Sequence, residues 1–211
     1  MKEKTFQRKA EVIQAALDEF ITNDYEKASL NTIIKVSGIS KGTFYYHFKN
    51  KEALYIYLLK SGVEAKWSYI NSQIAEDGDN FDASDIFDKF LYQARQASGF
   101  AVKYPKYFKL NQMFSKEKSN PIYGVALEVL GGDSTDIIEV MIEDAFNKKE
   151  FSSEYEKAFI VKLLSHLLLE FDQVFDDVSD YEKEKATKNL EDYVRFMRYG
   201  LQGQKKQEIE S

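Results

Sequence analysis

The chain has no cysteine. That excludes a disulfide framework, thiolate catalysis and a cysteine-based metal site, and it suits the reducing cytoplasm, the expected location. Histidine is nearly absent too: His47 and His166 are the only two in 211 residues. Neither has a carboxylate cluster at ligand spacing around it, so no metal site and no cofactor is expected. No apolar run approaches the roughly 18 residues that a membrane span needs, and the start, Lys2-Glu3-Lys4, has no apolar signal core. A phosphate-cradling glycine loop, a His-x-x-x-His pair and an arranged nucleophile are all missing. An enzyme is therefore not expected. Prolines number two, and no stretch of useful length alternates apolar and polar residues as a strand would.

What is present is helical periodicity and unevenly placed charge. The net charge is −6. Residues 1–60, however, hold ten Lys/Arg against seven Asp/Glu, and the remainder holds 19 against 28. The basic excess sits on the first quarter of the chain, where it favours phosphate, while the acidic remainder keeps the body off a polyanion.

Within that quarter, residues 29–54 read SLNTIIKVSGISKGTFYYHFKNKEAL. Leu30, Ile33 and Ile34 recur at helical spacing. Gly38 can take the left-handed backbone of a helix stop, and Ser40 can cap a second helix of about two to three turns. In that helix Phe44 and Phe48 face inward, Lys41 and Tyr45 share another face, and Gly42 and Tyr46 lie beside them. Helix, glycine turn, helix is the helix-turn-helix plan, whose second helix enters the DNA major groove. A first helix over 5–22, with Phe6, Ile13, Leu17 and Phe20 inward, supports the pair and gives a three-helix head.

The run Gly38-Ile39-Ser40-Lys41-Gly42-Thr43-Phe44-Tyr45-Tyr46-His47-Phe48, followed by Lys49-Asn50-Lys51-Glu52-Ala53-Leu54, closely resembles the DNA-binding segment of TetR-family bacterial transcriptional regulators. The resemblance covers about the first quarter of the chain. It implies that Lys41, Gly42 and Tyr45 face base edges, that Thr43, Tyr46, His47, Lys51 and Ser29 touch phosphate, and that Asn31 is a further reader. Lysine offers donors to guanine, and a glycine admits close backbone approach. Tyr46 has a second reading, as a surface aromatic packed on the fourth helix. Ile34 and Ser37 depart from the small alanines usual there.

Beyond the motif, helices are expected over 51–75 (capped by Asn50), 84–103, 106–115, from Pro121, over 137–146, 154–175 and 183–200, with a break at Gly131-Gly132-Asp133 and Ser153 as a cap. The fold class is all-α: a three-helix head with the helix-turn-helix, a long fourth helix carrying Leu54 at one end and Trp67 at the other, and a C-terminal bundle, about nine helices in all. Residues 1–50 are the DNA-binding domain, 51–201 the ligand-binding and dimerisation domain, and 202–211 a flexible tail.

The last two helices carry two apolar lines each. Val161, Leu164, Leu168 and Phe171, with Leu190, Val194 and Met197, are the face assigned to a homodimer through the last two helices; Phe159, Leu163 and Leu167 form another line. Both faces are alternatively buried inside one monomeric bundle. The aromatic body and the resemblance imply a pocket for a small hydrophobic or aromatic ligand, with Trp67, Phe90, Arg95, Phe108, Gln112, Tyr123, His166 and Glu170 as candidate lining. The resulting function is a homodimeric repressor released from a palindromic double-stranded DNA operator by a ligand. The alternative is a DNA binder of the same kind controlled by a protein partner.

Overall fold

A computed structural model describes residues 2–77, 81, 83–151, 153–169 and 183–200. Among the described residues all regular structure is α-helical: α1 Lys2–Thr22, α2 Leu30–Val36, α3 Lys41–His47, α4 Lys51–Asp77, α5 Ile86–Lys103, α6 Pro105–Ser115, α7 Pro121–Asn147, α8 Lys157–Leu169 and α9 Lys183–Tyr199. The chain forms two compact units. The first comprises Met1–Glu76 and Ala97–Asp136; the second takes Asp77–Gln96 and the described residues from Ile137 onward.

The helix ends follow local chemistry. The Ser29 hydroxyl accepts from the Thr32 N–H at 3.2 Å and starts α2. Gly38 has φ 67°, the left-handed backbone that stops α2. The Ser40 hydroxyl accepts from the Thr43 N–H at 3.1 Å and opens α3. Asn50 caps α4 by accepting from the Ala53 N–H at 2.7 Å. Asn120 accepts from the Ile122 N–H at 3.1 Å, with Pro121 at the first turn of α7.

Two expected boundaries are corrected. α7 runs unbroken through Gly131-Gly132. Glycine costs a helix about 1 kcal/mol against alanine, which weakens but does not forbid a turn inside a long helix. Ser153 does not cap α8, which starts at Lys157, with the Glu156 carbonyl accepting from the Ile160 N–H at 3.2 Å. The expected stretch of that helix beyond Leu169 and the tail at 202–211 lie outside the described residues.

The first unit has one core. Val12, Ala16, Leu17 and Phe20 of α1 meet Ile33 of α2, Phe44 of α3, and Leu54, Tyr55 and Leu58 of α4. Leu110 and Phe114 of α6 and Ile122, Ala126 and Leu130 of α7 complete the same cluster. The three-helix head is thus sealed by α4, α6 and the first half of α7, because three short helices alone bury too little apolar surface. Burial, with the Glu117 carboxylate second, pushes the Tyr55 phenol above the usual tyrosine range. Ile34 and Ser37 fit this packing: both are buried, and the Ser37 hydroxyl donates to the Ile34 carbonyl at 3.0 Å.

The second unit packs Ile86, Phe87 and Phe90 of α5 against Ile142 and Ala145 of α7, Ile160 and Leu164 of α8, and Val194 of α9. Arg198 of α9 pairs with Asp85, just before α5, at 2.5 Å and with Asp88 of α5 at 2.9 Å.

Candidate nucleic-acid interface

α3 is anchored from beneath. Phe44 is fully buried and Phe48, just past the helix, is nearly so, their rings 5.9 Å apart. That anchoring turns the opposite side outward. Lys41, Gly42, Tyr45 and Tyr46 are all exposed, Tyr45 by 56% and Tyr46 by 78%. Tyr45 stands edge-on to Phe44 at 5.3 Å, which fixes its ring without burying it. Tyr46 does not lie down on α4; its ring meets His47 edge-on at 5.0 Å. Thr43 is half-buried, its hydroxyl 2.9 Å from that of Ser40. Asn31 is exposed on α2.

Gly42 is not required by the fold. A methyl group there would meet only the Ser40 hydroxyl, at 3.8 Å, an ordinary contact. Gly42→Ala should therefore leave the melting temperature unchanged or raise it, by up to about 1 kcal/mol of helix preference. If a partner approaches this backbone closely, the same change should weaken duplex binding about tenfold or more. Calorimetry paired with fluorescence anisotropy reads both, and undiminished affinity would remove Gly42 from the contact surface.

Two of the expected phosphate contacts have other work. Lys51 is a correction. Its ammonium donates to three backbone carbonyls, those of Tyr25 at 2.7 Å, Ala28 at 3.1 Å and Glu26 at 3.2 Å, and lies 4.5 Å from the centre of the Tyr25 ring. An ammonium has three donors, so none remains for DNA. Lys51 holds the α1–α2 turn. Ser29 is engaged as well: its hydroxyl caps α2, and its N–H donates to Glu19 at 2.8 Å. The free hydroxyl expected there is reduced to its proton.

Sequence reasoning missed the other half of that grip. Glu117, in the α6–α7 loop, is buried and accepts from the Tyr25 N–H at 2.6 Å. Asn120 donates to Glu26 at 3.3 Å, and Lys106 of α6 pairs with Asp18 of α1 at 2.6 Å. Tyr25 and Glu117 are 92 positions apart, and no local pattern announces such a pair.

A concavity of about 430 Å³ lies beside α3, lined by Ser40, Gly42, Thr43, Tyr46, His47 and Arg8 of α1. A second, of about 650 Å³, lies between the α1–α2 and α6–α7 loops, with Asp24, Glu26 and Glu117 among its walls.

The residues assigned to a ligand are divided between the two units. Trp67, Phe108, Gln112 and Tyr123 fall in the first unit, and Phe90, Arg95 and His166 in the second. Phe90 is core, Arg95 pairs with Glu191 at 2.6 Å, Tyr123 stacks on Phe114 with ring centres 4.8 Å apart, and His166 is exposed. Neither concavity is lined by any of them. Glu170 and Phe171 lie outside the described residues, as does the Leu168 side chain.

The dimer face is corrected in the same way. Leu164 and Val194 are buried in the second unit's own core, and Val161, Leu190 and Met197 pack against that core. The apolar residues left outward are the other line, Phe159 at 52% and Leu163 at 42% exposed on α8, with Phe196 and Tyr199 of α9. Spacing identifies both lines; which one the protein keeps for itself depends on α5 and α7. Among the described residues no group of three or more His, Asp and Glu is placed to hold a metal ion, and no helix is long and apolar enough to cross a membrane.

Residues 12–58, from the buried row of α1 to Leu58 of α4, match the model of the family described as bacterial regulatory proteins, tetR family. That segment is the DNA-binding region of the TetR family of helix-turn-helix transcriptional regulators. It is 41% identical over 59 residues to the transcriptional regulator QacR of Staphylococcus aureus, a match covering 28% of this chain and only 31% of the length of QacR. It is 23% identical over 165 residues, 70% of this chain and 87% of the other, to IcaR of S. aureus, the negative regulator of the icaADBC biofilm operon. The fold is likewise that of FadR from Bacillus subtilis, solved in complex with stearoyl-CoA: the TM-score is 0.63 at 17% identity, over 92% of this chain and 99% of FadR. The family match falls on the head.

Proposed function

We propose that this protein is a homodimeric DNA-binding repressor, acting in the cytoplasm on a palindromic operator and released from it by a small apolar ligand. The observation that carries the reading is the outward face of α3, Lys41, Gly42 and Tyr45, over a core that locks the helix in place. Lys41 donates to guanine acceptors, and Tyr45 offers a hydroxyl and a ring face to base edges. Thr43, Tyr46 and His47 flank that row and suit phosphate.

Two such helices must lie about 34–36 Å apart to enter successive major grooves, so a dimer is part of the mechanism. Phe159, Leu163 and Phe196 supply its apolar surface. Leu163→Glu should convert a dimer to a monomer in sedimentation velocity and weaken operator binding about a hundredfold or more, with helicity intact. A glutamate at buried Leu164 should instead unfold the second unit. A Leu163→Glu protein that stays dimeric sinks this interface.

The ligand would act by favouring a dimer whose heads are spaced wrongly for DNA. Because FadR is solved with stearoyl-CoA, a long-chain acyl thioester is the first compound to test. A second reading is control by a protein partner. Duplex binding that falls as salt rises tests the core of the proposal. The duplex would be one selected by the protein from a random pool, and no salt-dependent binding to any duplex would reject it.

A further inference from the structure

The concavity beside α3 is not made by the helix-turn-helix alone. Arg8 of α1 forms one wall, opposite Ser40, Gly42, Thr43, Tyr46 and His47. We infer that Arg8 is a DNA-backbone contact: with Thr43, Tyr46 and His47 it completes a cradle for one phosphate, so that α1 as well as α3 holds the duplex.

Several observations meet here. The neighbouring Lys9 is turned the other way, its ammonium 4.3 Å from the centre of the Tyr57 ring and 5.9 Å from that of Phe48. One residue on along a helix is a rotation of about 100°, so the two cations divide the work. Lys9 braces the core, and Arg8 is exposed at the concavity. None of the described lining residues is a carboxylate, in contrast to the concavity holding Asp24, Glu26 and Glu117. The His47 Nε2 is buried without a hydrogen-bond partner among the described residues. An orphaned ring nitrogen carries a standing cost until something bonds to it. A phosphate oxygen seated in the cradle takes hydroxyl donors from Thr43 and Tyr46, the planar guanidinium meets two oxygens at once, and a turn of the His47 ring brings its Nε2, closed off in the free protein, to the same phosphate. The open backbone at Gly42 leaves room for the approach.

This inference rests on the DNA-binding reading, and the test separates the two. The probes are a labelled duplex that the wild-type protein selects from a random pool, and a scrambled duplex of equal length. Arg8→Gln should weaken both about equally, roughly tenfold per head. It should also flatten the slope of log affinity against log salt by about 0.9 per head, about 1.8 for a dimer. Arg8→Lys keeps the charge and should restore the slope while recovering only part of the affinity. Since His47 and His166 are the only histidines, two imidazole signals are expected by NMR, and duplex should move that of His47. An Arg8→Gln protein with wild-type slope and affinity, alongside a Lys41→Ala protein that loses the selected duplex, overturns the Arg8 contact alone. Failure of the wild type to bind any duplex overturns both readings. A His47 shift saturated by millimolar inorganic phosphate, with duplex adding nothing, makes the concavity a plain anion site and overturns the backbone contact.

Discussion

Replacing Lys41 and Tyr45 together by alanine abolishes binding to the selected operator and leaves the protein folded. Both side chains are exposed on α3. Neither contributes to the core cluster. Surface changes of this kind usually cost no more than about 0.5 kcal/mol. Tyr45 adds an edge contact with Phe44. Such a contact is worth up to about 1 kcal/mol, so the melting temperature falls by a few degrees at most. The effect on DNA is far larger. A good base contact is worth about 1–3 kcal/mol, and the proposed dimer on a palindrome would lose two from each head. Even at the low end that is about 4 kcal/mol, a loss of roughly a thousandfold. A gel shift with circular dichroism on the same samples reads both halves. Retained affinity in the double variant means that α3 does not read the duplex.

Lys51→Met has the opposite profile. The methionine keeps the apolar stem but removes three donors from the Tyr25, Glu26 and Ala28 carbonyls and the cation from the Tyr25 ring. Hydrogen bonds to a charged group are worth about 1.5–3 kcal/mol when net effects are measured, and these three share one donor centre. The expected loss is about 3 kcal/mol, which lowers the melting temperature of a chain this size by roughly 6–12 °C. With Lys51 gone, Glu117 still holds Tyr25 from the other side, accepting from its N–H. The variant should therefore show faster amide exchange in the Asp24–Ala28 turn before the rest of the head. If Lys51 were instead a phosphate contact, stability would hold while the salt dependence of DNA binding weakened. That result would reverse the assignment made from its three carbonyl partners.

The head is open to sequence reading because its determinants are local. Gly38 supplies a left-handed turn, Ser29, Ser40 and Asn50 supply caps, and Phe44 and Phe48 point one way because a helix repeats every 3.6 residues. These are interactions within a few positions, so they are written in order along the chain. Lys51 shows where that stops. Its type and place suit a phosphate contact, and only the folded turn, with three carbonyls converging on one point, shows it occupied. Arg8 escapes sequence reading for the converse reason: nothing near it in sequence marks it, and α3 meets it only in three dimensions.

The bundle repeats this lesson on a larger scale. Spacing defines two apolar lines on α8. Their assignment turns on which one α5 and α7 cover, and the covered line is Leu164, the open one Phe159 and Leu163. Periodicity tells which residues share a face but carries no information about what lies opposite. Gly131-Gly132 misleads for a related reason: a local preference of about 1 kcal/mol is overridden when the flanking turns continue the helix.

By itself, then, the sequence determined an all-α chain with a helix-turn-helix, the outward side of its second helix, and a family whose members regulate transcription. The tertiary structure decided that the head is sealed by α6 and α7, that Lys51 and Glu117 grip one turn from two sides, that Arg8 stands beside α3, and which apolar line remains for a partner. The division follows from range. Capping, turns and helical facing act over four residues or fewer, whereas burial and convergent hydrogen bonds depend on segments far apart in sequence, as Glu117 and Tyr25 are at 92 positions.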